Sequence, residues 1–575
     1  MSTTSISINA SLTAMQTASY NISVSSANVA NADTEGYTAK STSNTTQMAG
    51  STAVGVQSQA LTNMVDQNLL DDLNEAANEA KYTETLQTGL ENISNSLGSV
   101  SGDDSLSEAI TDIETALLSL ELDPASNSDQ IVFVDSLNDL TTQLNNTSND
   151  IQDQRAISDE DIETAISSVN SLLNEIDSLN EQIAIAQANG NSTLDLEDSR
   201  NTALQELSGY MNVNSFTDSN NQLQIYTEGG TALLLSEPQE LSYEATSPVT
   251  STTSFNSITV AGKDITSEIT GGEIGASLEL RDEFLPDLQA ELDELASTLV
   301  DSINAISNKA TSIPSPATLT SHQTVSASDA FTGSGTFRIA VTDSDGAVTE
   351  YADFDVSTYS TVQDFIDDLN SMAGVSASIN ADGYLEIITT TTDTGLSFNE
   401  MDSAVGGDSL GISNYFGFNS ILSGDSATNI SVSADLLDDP SLLPTAELND
   451  SSTLSIGDTG LNSGDTSIIS SLISTFSEDQ SFDAAGNLGA DTTSFANYAT
   501  NITSALAVKT DSAITDAEVA VSAYDNLAAS FANETGVNLD EEIAKMNAYQ
   551  ESYEAGAYIL STIQEMFDVL MNAVT

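Results

Sequence analysis

The residues of this chain that could do chemistry are few and poorly placed for it. The single histidine, His322, lies in a Ser/Thr/Pro-rich stretch with Pro314, Pro316 and Ser321. A metal site or a Ser-His-Asp relay needs convergent neighbours, and His322 therefore reads as a solvated linker residue. Asp343-Ser344-Asp345-Gly346 begins like a calcium loop. Its glycine stands fourth rather than sixth, and strand patterns rather than helices flank it, so it reads as a hairpin turn. Cysteine is absent, which removes thiolate nucleophiles, disulfides and Cys-based metal sites. With 87 acidic residues, some pair will always resemble a hydrolase dyad. None is set in apolar sequence that would raise its pKa. No P-loop or G-x-G-x-x-G fingerprint occurs. The chain reads as a non-enzyme with no cofactor and no metal.

Charge says more. The chain of 575 residues holds 10 basic residues, for a formal charge of −77. Phosphate binding needs clustered Lys and Arg, so nucleic acid is excluded as a partner. An anionic membrane surface is disfavoured for the same reason. Such a surface suits a saline habitat, where salt screens repulsion beyond ~8 Å already at ~0.15 M. No apolar run is long enough to span a membrane, and no Lys or Arg precedes Lys40, so a signal peptide's positive n-region is missing. Taken alone, these signals read as cytoplasmic.

The carboxylates are unevenly spread. From Met1 to Ala32 there is no charged residue, and from Met546 to Thr575 there are only Glu551, Glu554, Glu565 and Asp568. The C-terminal end carries a heptad: Met546, Tyr549, Tyr553, Gly556, Leu560, Ile563, Phe567, Leu570 and Val574. Steps of three and four predict a coiled-coil seam. The N-terminal end repeats it more weakly through Ile8, Met15, Ile22 and Val29, with Leu12, Ser19 and Ser26 between them. Its Ser, Thr and Asn content is poor in helix propensity, so this helix needs a partner. The two ends are expected to pair with each other and with neighbouring copies.

Between them, helical stripes run through Ile162 to Ile183 and Leu285 to Ile306, and Leu106 to Leu144 divides at Asp123–Pro124. A last helical stretch runs from about Phe495 to Phe531. Residues 210–275 and 325–400 alternate in period two. Asp345–Gly346 and Asp382–Gly383 mark hairpins, and a short helix, Thr361 to Met372, sits between them. The expected fold is α+β and elongated, with long helices, coiled-coil termini forming an axial core, and β-rich inserted outer domains. Residues 1–45 with 536–575 would form the paired terminal helices. Residues 46–209 with 276–324 and 436–535 would form a helical core domain, 210–275 a small β-rich segment, and 325–435 an inserted outer domain.

Ser25-Ser26-Ala27-Asn28-Val29-Ala30-Asn31, followed by Thr34, Gly36 and Tyr37, resembles the N-terminal signature of the flagellar rod, hook and hook-associated axial proteins. Tyr549 to Tyr553, Ile559 to Ile563 and Leu570-Met571-Asn572 resemble the other end of that family. The interior is similar to its hook-associated branch at Leu172 to Ile183, Leu196 to Leu207, Gly272 to Pro286 and Gly536 to Glu542. Glu35 departs from the pattern, standing where proline is common. The resemblance implies an extracellular structural subunit at the hook–filament junction, exported by the type III apparatus without a cleaved signal peptide. This replaces the cytoplasmic reading. Implied partners are a ring of copies of itself, the hook protein, a second hook-associated junction protein, and an export chaperone. Implied interface residues are Ile8, Leu12, Met15, Ile22, Asn28, Val29, Asn31, Thr34, Gly36 and Tyr37 with the C-terminal heptad. The alternatives are another axial subunit of the family, a secreted acidic adhesin or an acidic secreted hydrolase; the nonapeptide repeats an adhesin would show are missing.

Overall fold

The computed structural model describes residues 3–34, 36–98 and 105–574, with the side chains of Thr3 and Val574 left aside. The chain is elongated, with long helices at its termini and β-rich structure in the middle. Helix α1, Thr3–Ala30, contains neither Gly nor Pro and ends at a turn over Asn31–Thr34, after which Gly36 takes a positive φ of 74°. Strands β1, Ser41–Ala49, and β2, Thr52–Thr62, then form an antiparallel hairpin lying on α1. Asn9 donates to the Val54 carbonyl, and the Val56 N–H donates to Thr13 Oγ1.

A helical body follows: α2, Gln67–Leu97; α3, Leu106–Leu122; α4, Asn127–Ala188; and α5, Leu194–Tyr210. Helix α4 is one element of 62 residues, about 93 Å at ~1.5 Å per residue. The stripes on either side of residue 150 belong to this single helix, since no Gly or Pro interrupts it. Its first half packs Phe133, Leu137 and Leu144 into a core with Leu90, Leu117, Leu292 and Phe495. Its second half packs Ile162, Val169 and Ile176 against the small β segment, whose six strands lie between Val213 and Asp264. Helix α6, Gly272–Glu279, leads through a π turn at Leu280–Phe284 into α7, Leu285–Ser307.

The outer domain holds two three-stranded antiparallel sheets around a phenylalanine core of Phe331, Phe337, Phe365, Phe398 and Phe416, with α8, Val362–Leu369, packed on it. Asp343 Oδ1 accepts N–H groups of Asp345 and Ala347, and Gly346 takes a positive φ of 80° between strands 336–343 and 348–355. This loop is a hairpin turn. Among the described residues, no His/Asp/Glu group is arranged to hold a metal ion, and no helix is long and apolar enough to cross a membrane.

Two short helices, α9 (Ile412–Phe416) and α10 (Ala434–Asp438), lead back to the body through α11, Ser467–Ser477. Helices α12, Phe495–Thr535, and α13, Leu539–Val574, complete the chain.

Three boundaries differ from those expected. Residues 46–62 are hairpin on α1 rather than helical body, because Gly50 and Gly55 disfavour a helix and Thr52, Val54 and Val56 suit a strand. Residues 318–324 pair with 384–388 and belong to the outer domain, which places His322 on a strand rather than in a linker. Leu448 and Leu461 pack against Ala340 of the outer domain.

One buried group makes stability depend on pH. Glu291 on α7 accepts the Asn487 N–H at 2.9 Å, and burial pushes its carboxyl up to about 7 despite that bond, with Asp287 adding to the rise. The folded state binds this proton more tightly than the unfolded chain. Its contribution is therefore complete below about pH 4.5 and lost as pH climbs through 7. A shift of that size is worth on the order of 3 kcal/mol. Glu291→Gln keeps the acceptor and is expected to raise the melting temperature by several degrees at pH 8 but little at pH 4. Equal shifts at both pH values would contradict this.

Candidate assembly interface

All four arginines of the chain, Arg155, Arg200, Arg281 and Arg338, are buried, as is Lys40. Arg281 pairs with Asp159 at 2.6 Å and lies over the Phe255 ring, and Arg338 pairs with Asp353. Five of the ten cations thus serve the interior, and the outer surface is left almost wholly anionic. Two such surfaces repel at contact distance. Any close packing between copies therefore requires uncharged surface.

The segment that closes α1 builds a junction of three elements. Asn28 is fully buried; its Nδ2 donates to the Lys40 carbonyl at 2.9 Å, and its Oδ1 accepts the Lys40 N–H at 3.1 Å and the Tyr37 hydroxyl at 2.9 Å. The amide thus mimics a strand pair and ties the loop back onto the helix. Asn31 donates to Ala27 O, accepts from the Thr34 hydroxyl, and forms a turn with the Thr34 N–H. Tyr37 N–H donates to Thr34 O. Gly36 sits against α5, where a Cβ would lie 2.2 Å from Thr202 Oγ1. Its positive φ and this close approach both exclude a side chain.

Lys40 is the cation at the centre. Its ammonium pairs with Asp198 and with Asp195 at 3.0 Å, and lies 3.7 Å from the Tyr37 ring centre. Asp198 also accepts the Thr38 N–H at 3.0 Å and the Thr38 hydroxyl at 2.7 Å. Ala39 N–H donates to the Thr535 carbonyl at the end of α12. Burial, with Asp195, Asp198 and Glu542 nearby, pushes the Tyr37 phenol up to about 12. The loop therefore bolts the terminal helices to α5 and α12 of the body.

Helices α1 and α13 pack antiparallel. Glu542 bonds Ser25 and Asn28, the Ser26 hydroxyl donates to Met546 Sδ at 3.4 Å, and Gly556 faces Met15 and Ser11. Burial pushes the Glu542 carboxyl up, but hydrogen bonds from Lys545, Ser25 and Asn28 outweigh this and leave it below its ordinary range. On α13, Gly556 and Ile563 are buried, while Met546, Tyr549 and Leu560 are half-buried. Tyr553, Phe567 and Leu570 remain exposed. Val574 ends the helix, and its side chain lies outside the described residues.

The N-terminal seam differs from the expected one. The buried stripe is Ser11, Ala18, Asn21, Ser25 and Asn28. Ile8, Met15, Ile22 and Val29 are half-buried on its flank, and Leu12 is exposed. Small residues let α1 approach both α13 and the hairpin, where Thr42 donates to Asn21 at 2.8 Å. Of the larger apolar side chains, Met15 packs beside Gly556, while Leu12 and Tyr20 face outward. Periodicity marks a stripe but not which partner covers it.

Lys40 and Asp198 were not among the expected interface residues. Lys40 is the only basic residue before Lys81, and a lone cation in so neutral a stretch was the available signal. Gly407-Asp408-Ser409-Leu410-Gly411 has the Gly-x-Ser-x-Gly spacing of a hydrolase nucleophile turn, and Ser409 takes a positive φ of 55°. The serine is exposed, and His322 lines a cavity that does not include it. No relay forms there.

Three family models match the chain: flagella basal body rod protein over residues 8–38, the helical domain of flagellar hook-associated protein FlgK over 90–315, and the C-terminal model of flagellar basal body rod FlgEFG proteins over 528–573. No curated protein matches. Among solved structures, the flagellar hook junction protein FlgK from Burkholderia pseudomallei is similar, with a TM-score of 0.52 and 15% identity over 80% of this chain and 98% of that one. At that identity the likeness is one of fold.

Proposed function

We propose that the chain is one of the flagellar rod, hook and hook-associated axial proteins and, within this family, a junction subunit of the hook-associated protein 1 type, joining hook to filament. What carries this reading is the surface of the terminal pair. Leu12 and Tyr20 on α1, and Tyr558, Ile559, Met566, Phe567 and Leu570 on α13, are large, apolar and exposed, on segments nearly free of charge. Exposed apolar surface of this extent marks an interaction site. In a chain of net charge −77, it is where identical copies approach at least electrostatic cost.

The terminal helices of adjacent copies pack together around an axis, extending the α1–α13 seam. The acidic body and outer domain face solvent, where screening is effective. Assembly therefore strengthens with ionic strength. Export through the type III apparatus, a chaperone on the C-terminal segment, and contacts to the hook protein and a second junction protein complete the proposal. A chain without cysteine suits passage in an unfolded state.

In a strain lacking the gene, a chain truncated after Met566 is expected to leave hooks bare and flagellin shed into the medium, although the body folds normally. The full chain restores filaments. Normal filaments from the truncated chain would overturn the proposal.

A further inference from the structure

A second neutral surface adjoins the terminal pair. The 25 residues from Ser41 to Val65 contain no charged side chain. All but one residue of β1 are exposed.

The hairpin's two outer edges are treated differently. That of β2 is covered by α1 of the same chain, through Asn9 on the Val54 carbonyl and Thr13 on the Val56 N–H. Thr46 stands opposite Val56. Backbone groups of directly opposed residues in an antiparallel pair point both inward or both outward. The Val56 N–H points away from the ladder, so the Thr46 N–H and carbonyl point away on the other side. Register breaks at Thr42/Asn44 and Gln47/Met48 confine the regular edge to Asn44–Gln47. This edge carries none of the Lys, Glu or Pro residues that usually guard an open strand.

We propose that the outer edge of β1 docks on the polar face of α1 of a neighbouring copy of this chain, so that each hairpin lies between its own α1 and the next. This rests on the reading of the chain as a self-assembling subunit. A closed ring needs two different surfaces in contact rather than one surface meeting itself. The counterpart of β1 is therefore a different surface, and in a chain of net charge −77 one without carboxylates meets it at least electrostatic cost. The exposed Gln16, Ser19 and Ser23 of α1 offer the same side-chain chemistry that Asn9 and Thr13 use on β2.

The test compares Thr46→Glu, Thr46→Pro and Ser463→Glu with the wild type in a strain lacking the gene. Ser463 is exposed beside the outer domain. Thr46→Pro removes an outward N–H without breaking a ladder bond. Both Thr46 variants are expected to cut incorporation at the hook tip at least tenfold, and 1 M salt restores in vitro association of Thr46→Glu but not of Thr46→Pro. Ser463→Glu incorporates normally. Far-UV circular dichroism and melting of each purified chain establish that it folds. Normal incorporation of folded Thr46→Pro overturns the hairpin proposal alone. Failure of the wild type to incorporate overturns the self-assembly reading and the hairpin proposal with it.

Discussion

Asp198→Ala is expected to destabilise the attachment of the terminal helices by about 3–5 kcal/mol, the usual cost of removing one partner of a buried ion pair. The carboxylate accepts Lys40 and two donors of Thr38, and alanine leaves all three short of an acceptor in a site from which water is excluded. Asp195 remains beside Lys40, but its side chain is 78% exposed, and an exposed carboxylate compensates poorly. Asp198→Leu with Lys40→Met removes both charges together and is expected to recover most of the loss. Urea unfolding of the wild type, Asp198→Leu, Lys40→Met and the Asp198→Leu/Lys40→Met chain forms a double-mutant cycle. Additive single effects would mean that the pair is not a unit. Hydrogen exchange in Asn28–Lys40 should accelerate in Asp198→Ala alone, because it is the loop that the pair fastens.

Gly556→Leu is expected to abolish assembly while leaving the body intact. A Cβ at this position would lie 2.8 Å from Met15 Cγ and 3.3 Å from the Ser11 carbonyl. Methionine can shift, so Gly556→Ala should be nearly neutral, its small clash offset by a gain of about 1 kcal/mol in helix propensity. Leucine reaches backbone that cannot move without parting the helices. Overpacking of this kind costs about 1–3 kcal/mol, and a two-helix pair has no other core to absorb it. Near-wild-type melting of the body with loss of incorporation is the expected pair of readings. Incorporation of Gly556→Leu at the wild-type level would show that the α1–α13 contact is dispensable.

Much of this architecture was legible in the chain because it is written in charge and period. The neutral ends, the Asp123–Pro124 break and the Asp-Gly hairpins each leave a local signature, and each corresponds to an element. What could not be read was partner choice. Ile8, Met15 and Ile22 form the more apolar stripe of α1, yet Ser11, Ala18 and Ser25 lie inside, because close approach to Gly556 and the hairpin favours small residues over large ones. The Lys40–Asp198 pair joins residues 158 apart in sequence, and no local pattern reports such a meeting. The Ser41–Thr62 hairpin was hidden for a related reason. Its Ser, Thr and Gln residues are exposed on both faces over most of their length, so no apolar alternation marks it.

The central claim is that the terminal helices of adjacent copies touch. Because the chain has no cysteine, a single Ile559→Cys or Leu12→Cys substitution places the only thiol in the subunit on an exposed position of that surface. Oxidising flagella that contain both variants should yield a disulfide-linked dimer of Leu12→Cys with Ile559→Cys copies. The account predicts that dimer in assembled flagella and its absence from the purified monomers at equal concentration. Flagella that incorporate both variants and yield no such dimer under any oxidant would contradict it.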